Sequence, residues 1–283
     1  MTFSARRIDT EPTSLVRRRR SGISFLEGGR GLPVLLLHGI PGSALTWSAV
    51  GERLTGRYRV IIPDLPGFGL SEPASDDWYM EGQAHRLRSL LDRLDVRELV
   101  LAGHDFGGPV ALTLRRLYPE LKIRGLILTA TNLFTDTYVP PPLRIARVPL
   151  IGRLAFAAMA GNRLGLRLMY ESATIQKKTA TWAQFRRHLS RSSMALTSRI
   201  FQRSLADLFD NYAPIERSLS KTNVPTLVLW GDRDPFFGVA VGERSRRAIP
   251  GSVLRVLPHT GHFVPEEQPS RVADEMWTFL EAV

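Results

Sequence analysis

The stretch that decides the fold is ELVLAGHDFGGPVALTLRRL, residues 98–117. Its opening run, LVLA, is continuously apolar, as in a strand buried on both faces. Its second half, GPVALTLRRL, reads as a helix that stops near Pro119. Between them lies GHDFGG, residues 103–108. The pattern Gly-x-Ser-x-Gly marks a strained strand-to-helix turn that displays a nucleophilic serine. Here Asp105 occupies the serine position. Either the turn has lost its nucleophile, or it presents a carboxylate.

Working outward, the same alternation recurs. Apolar strand-like runs fall at 34–39, 58–64, 123–130, 225–232 and 252–259. Leu87, Leu90, Leu91 and Leu94 share one helix face. The C-terminal run EEQPSRVADEMWTFLEAV (266–283) reads as one helix with acidic residues in its first turn, where the helix dipole favours them. These patterns predict an α/β fold, with a mostly parallel central sheet covered by helices. The alternation breaks once. From Phe134 to about Thr222 no strand-like run occurs, and the segment is proline-punctuated and then helical in composition. The expected organisation is a core of residues 1–133 and 223–283, with a helical cap, 134–222, inserted between two strands. No internal repeat or low-complexity segment is evident.

The 283 residues are 43% hydrophobic, enough for a sizeable core. Cysteine is absent, which excludes disulfides and thiolate chemistry. No apolar run approaches the ~20 residues that span a bilayer. The first 22 residues hold no hydrophobic segment ahead of a cleavage site. The expectation is therefore a cytoplasmic chain with no signal peptide and no membrane span. Net charge is +11. Arg17 to Arg20 read as an exposed strand entering a hairpin at Ser21-Gly22, a solvated face rather than a nucleic-acid patch. Residues 134–222 carry fourteen Lys and Arg against five Asp and Glu, most of the net charge. Most simply, these arginines face solvent. If they roof a pocket, they suit an anionic or carrier-bound small-molecule substrate. Oligomeric state is not readable from the chain.

Four motifs sit at the C-terminal ends of expected strands, where open α/β sheets bind ligands. They are HGIPG (38–42), GHDFGG (103–108), WGDRDPFF (230–237) and HTGHFVPEEQP (259–269). Each is weak alone, but together they run in the order nucleophile, acid, histidine. With DLPGFGLSEP (64–73), they make the chain resemble an α/β-hydrolase over nearly its whole length. The aspartate at position 105 is similar to the epoxide hydrolase and haloalkane dehalogenase branch. The resemblance implies an active site between cap and core. It assigns Asp105 as nucleophile, His262 as base, Asp234 as the acid that orients it, and the Ile40 and Phe106 N–H groups as an oxyanion hole.

The chemistry agrees with a carboxylate nucleophile. An unperturbed Asp, with a pKa of about 3.9, is ionised at neutral pH without a base. Its attack on an ester gives a labile anhydride, whereas displacement at saturated carbon gives an ester that a histidine-activated water can hydrolyse. Asp232 is expected to shape a turn, and Asp136 is the reserve acid. His38, His104 and His259 are expected to be structural. No metal-ligand spacing and no nucleotide-binding pattern occurs, so no metal or cofactor is expected.

The dehalogenases resembled here hold a halide with a tryptophan after the nucleophile and often an asparagine in the H-G-x-P loop. This chain has Phe106 and Ile40 there, and neither side chain can donate. Haloacid-type relatives place arginines within a turn of the nucleophile, and residues 107–110 contain none. Epoxide hydrolases protonate the leaving oxygen from cap tyrosines. Tyr212 is the first candidate, Tyr170 the second, and Tyr138 a third, although none matches the usual spacing. The expected function is epoxide hydrolysis to a vicinal diol. The alternatives are a dehalogenase, with Trp182 as a displaced halide donor, and a non-catalytic small-molecule binding protein on the same scaffold.

Overall fold

Apolar runs with no polar alternation require cover on both faces, and the fold supplies it. A computed structural model describes residues 14–73, 80–139, 141–148, 151–179, 181–189 and 194–283. The N-terminal segment expected to lack a signal peptide lies largely outside them. The strands are β1 (Val16–Arg20), β2 (Ile23–Gly28), β3 (Pro33–Leu37), β4 (Arg59–Pro63), β5 (Glu98–His104), β6 (Lys122–Thr129), β7 (Thr226–Gly231) and β8 (Val253–Leu257). They form one sheet in the order β1-β2-β4-β3-β5-β6-β7-β8. Only β1 and β2 run antiparallel to their neighbours.

Successive strand residues point to opposite faces. Leu35, Leu37, Leu99 and Leu101 join one buried cluster, and Val34, Leu36, Val100 and Ala102 join the other. The covering helices are α1 (Leu45–Leu54), α2 (Met80–Arg93) and α3 (Gly107–Leu117). Between β6 and β7 every described element is helical. A 3-10 turn (Pro141–Arg147) leads to α4 (Gly152–Met159), α5 (Arg163–Ala173), α6 (Trp182–His188), α7 (Met194–Ala206) and α8 (Leu208–Leu219). The chain closes with α9 (Val239–Ala248), α10 (Val264–Glu267) and α11 (Pro269–Leu280).

The arginine run forms the sheet's exposed edge strand. It is largely consumed by the protein's own carboxylates: Arg17 pairs with Asp64 at 2.7 Å, Arg18 with Glu27 at 2.9 Å and Arg19 with Glu72 at 2.8 Å. Charged edges of this kind also discourage pairing with another chain.

The C-terminal run differs from its expected form. It is not one helix with an acidic first turn. Pro269 starts α11, and Glu266 and Glu267 belong to the separate single turn α10, where both are buried. A proline fits the first turn of a new helix, because its missing N–H would be unpaired there anyway. The two glutamates tie the cap to the core. Glu266 accepts hydrogen bonds from Thr46 in α1 (3.0 Å) and from Tyr170 in α5 (2.8 Å), and it pairs with His188 of α6 at 3.3 Å. Glu267 accepts from the Ile175 and Gln176 backbone N–H groups, both at 2.8 Å. Burial alone would raise the Glu266 carboxyl. His188 and the three hydrogen bonds outweigh that and hold it down at about 2.

Glu266→Gln should therefore cost about 1–3 kcal/mol at neutral pH, since it removes charge-assisted hydrogen bonds in a buried site. The folded-state value of about 2 lies below the ordinary 4.5, so this stability is fully present above about pH 4.5 and fades as pH falls toward 2. Urea unfolding of both proteins across that window should show the two curves converging in acid.

Candidate active site

Asp105 ends β5 with φ at +48°, the left-handed region that side chains rarely enter. The turn is held by the Asp105 N–H to Thr129 O (3.1 Å), the Gly108 N–H to Asp105 O (3.0 Å) and the Thr131 hydroxyl to Asp105 O (2.6 Å). Two glycines make room for it. A Cβ on Gly107 would strike the Leu37 carbonyl, and one on Gly39 would strike the Asp105 side chain.

The carboxylate faces the loop after β3. Its Oδ2 accepts from the Ile40 N–H at 2.8 Å, and the Phe106 N–H also bonds it. Its Oδ1 lies 3.8 Å from His262 Nε2. On the far side of the ring, His262 Nδ1 donates to Asp234 Oδ2 at 3.0 Å. Asp234 is buried, and its other oxygen accepts the Phe236 and Phe237 N–H groups at 2.8 and 3.0 Å. The structure thus brings together Asp105, His262, Asp234, Ile40 and Phe106. Burial raises the Asp105 carboxyl above its ordinary value, opposed by His262 and by the Ile40 and Phe106 N–H groups, so the unperturbed value assumed from sequence does not apply. Burial would lower His262, but Asp234 above all, with Asp105 and Glu267, carries it above its ordinary value.

The other candidates fall into place around this line. His38 Nδ1 bonds Gly39 O at 2.8 Å, its Nε2 accepts the Leu65 N–H at 2.9 Å, and burial holds it down at about 4. His104 Nε2 donates to His262 O at 2.9 Å, and burial with His262 nearby holds it at about 3. Asp232 accepts the Thr260 N–H at 3.0 Å and braces the turn that carries His262. Asp136 is exposed and pairs with Arg244 at 2.6 Å.

A cavity of about 80 Å³ opens at Asp105, walled by Asn132, Phe201, Tyr212, Phe236 and Phe237, with Tyr138 at its exposed edge. Tyr212 is buried there, and its hydroxyl is pushed up by burial and by the Asp105 charge. Tyr170 is not part of this wall. Its hydroxyl is spent on Glu266, and its ring packs on Phe263 at 4.5 Å. Trp182 lies on the cap exterior, 40% exposed, with the Arg167 guanidinium 4.7 Å above it. Among the described residues no Lys or Arg lines the wall, so the described arginines of the cap do not roof the cavity. Among the described residues no cluster of His, Asp and Glu could hold a metal ion.

Sequence reasoning passed over Asn132. It pins the loop after β6 through the Phe134 N–H and carbonyl (3.0 and 2.9 Å), and its carboxamide beside Tyr212 opposes the rise of that hydroxyl. It lies in TATNLFTD (129–136), a stretch weighed only for a carboxylate.

Relatives carry several chemistries on this frame. The chain is 28% identical to Lipase 3 of Moraxella sp. (strain TA144), over 89% of this chain and 78% of that protein. It is 27% identical to Epoxide hydrolase 4 of Mus musculus, over 94% and 79%. The crystal structure of haloalkane dehalogenase DbeA from Bradyrhizobium elkani USDA94 superposes with a TM-score of 0.78 at 20% identity, covering 95% of this chain and 99% of that one, a likeness of fold. The model of the alpha/beta hydrolase family matches residues 34–275. Matched from β3 well into α11, the chain belongs to the alpha/beta hydrolase family, and the fold expected from its sequence is the fold it has.

Proposed function

We propose that this hydrolase opens an epoxide to a vicinal diol through an ester on Asp105. The observation that carries the proposal is the pairing of two groups across one small apolar cavity: the Asp105 carboxylate and the Tyr212 hydroxyl. Ring opening needs both a nucleophile and a proton donor for the departing oxygen. The side chains of Ile40 and Phe106, whose N–H groups face the carboxylate, offer a halide no donor. An apolar wall without cations favours an uncharged epoxide over an anionic or carrier-bound one.

In the first step Asp105 Oδ1 attacks an epoxide carbon, the carbon–oxygen bond breaks, and Tyr212 protonates the leaving oxygen. Asn132 steadies the phenolate left behind. Oδ2, already bonded to Ile40, becomes the ester carbonyl oxygen. In the second step His262 takes a proton from water, and the hydroxide adds to the ester carbon. The Ile40 and Phe106 N–H groups hold the oxyanion. Collapse breaks the ester, His262 protonates the departing alkoxide, and the new Asp105 acid returns a proton to Tyr212. Asp234 keeps the ring aimed and offsets its charge. The sum is epoxide plus water to diol.

The test is to trap the ester. His262→Gln should accumulate an adduct with the mass of a whole epoxide, absent in the double variant with Asp105→Asn. An adduct of haloalkane less hydrogen halide would instead make the chain a dehalogenase. No adduct with either panel would count against ester chemistry at Asp105. Tyr212→Phe should lower kcat on epoxides by about 10²–10⁴-fold, the usual worth of a positioned acid. Ester hydrolysis needs neutral His262. Asp234 and Glu267 hold the imidazole up and esterification removes the Asp105 charge, so single-turnover hydrolysis rates should climb with pH and level off, with a midpoint below that of His262 in the free protein.

A further inference from the structure

Among the described residues, nine of the thirteen exposed large hydrophobic side chains lie between residues 134 and 222, less than a third of the chain. Scattered exposed apolar residues need no explanation, whereas a gathered set marks an interaction surface. Ile151, Leu154 and Met159 lie on or beside α4, Leu164 and Leu168 on α5, and Trp182 on α6. Leu154 is 69% exposed and Leu164 63%. The three helices are linked in chain order. Asn162 caps α5 and also bonds back to Ala158 O in α4, and Arg167 of α5 covers Trp182 of α6.

Basic residues are interleaved with the apolar ones. From residue 137 to 206 the sequence has twelve Lys and Arg and a single acid, Glu171. Glu171 is engaged by Arg167 at 2.7 Å. Arg153 adjoins Leu154, Arg163 adjoins Leu164, and Arg163 faces Trp182 and Arg186 across a groove between α5 and α6. All three arginines are exposed, and none forms an ion pair among the described residues.

We propose that the outer face of α4, α5 and α6 docks onto an anionic phospholipid bilayer. The arginines would meet lipid phosphates, and the leucines, Ile151 and Met159 would enter the boundary of the acyl layer. Charge selects this occupant. A second copy of the chain would bring the same cationic strip against itself, with no free carboxylate to offset it. No helix among the described residues is long and apolar enough to cross a membrane, so the attachment is peripheral. Met169 of α5 also lines the cavity at Asp105, whose edge carries Tyr138, 63% exposed. Docking would therefore bring that cavity near a phase in which apolar substrates dissolve. The inference stands independently of which bond Asp105 breaks.

The test uses the full chain and sedimentation with two kinds of vesicle, pure phosphatidylcholine and phosphatidylcholine mixed with phosphatidylglycerol. The protein should partition onto the anionic vesicles and be released by salt. Each surface arginine contributes about fivefold, so Arg153→Gln/Arg163→Gln/Arg186→Gln should lower partitioning about a hundredfold. Leu154→Ser/Leu164→Ser/Leu168→Ser should lower it at least about tenfold by removing the inserted apolar area. Both variants change exposed side chains and should keep the parent melting temperature. Absence of binding to anionic vesicles would overturn the proposal, as would binding that the leucine variant leaves unchanged. A dimer in solution that the leucine variant converts to monomer, without vesicle binding, would assign the face to a second copy and overturn it too.

Discussion

The site depends on a backbone constraint at one residue. Asp105 must hold a left-handed conformation to lift its carboxylate clear of the sheet, and that conformation is unfavourable for any residue with a Cβ. It persists because β3 and β5 are parallel neighbours whose ends are in register, Leu37 beside Gly103. That register lets the loop after β3 reach over the turn, so the Ile40 N–H meets the carboxylate. The same closeness leaves no space for a side chain at Gly39 or Gly107. The glycines around Asp105 are therefore a steric requirement of its position, and the hydrogen bond from Ile40 is its consequence.

Much of the core was legible because its signals are local. A short continuous apolar run that ends in a glycine turn fits a strand covered on both faces, and Leu99 to Ala102 alternate between the two buried clusters accordingly. The turn at Asp105 is written in adjacent residues. The approach of Asp105, His262 and Asp234 spans 158 positions of sequence, yet motif order pointed to it, because a parallel sheet brings the ends of its strands to one edge.

What sequence did not disclose depends on how separate helices pack. Tyr170 and Tyr212 are equivalent as cap tyrosines in a linear reading. Only the packing of α5 against α10, and of α8 against α3, ties one tyrosine to Glu266 and sets the other on the cavity. Glu266 and Glu267 read as the acidic first turn of the last helix. A carboxylate at a helix start and a buried carboxylate held by Thr46, Tyr170 and His188 have the same local pattern. Pro269 was the available clue, since it divides the run into two helices.

The backbone N–H of His262 donates to the carbonyl of Ala173, the last residue of α5, at 2.9 Å. His262 and the helix that carries Met169 of the cavity wall are thus joined by the main chain itself, next to the contacts from Glu267 to residues 175 and 176. This makes the cap poorly modular. A roof transplanted from a relative would bring its own version of residues 173–176, and with it a new seat for the imidazole. Changes of specificity on this scaffold are therefore more readily made at wall positions such as Phe201, which touch neither junction, than by exchange of whole helices.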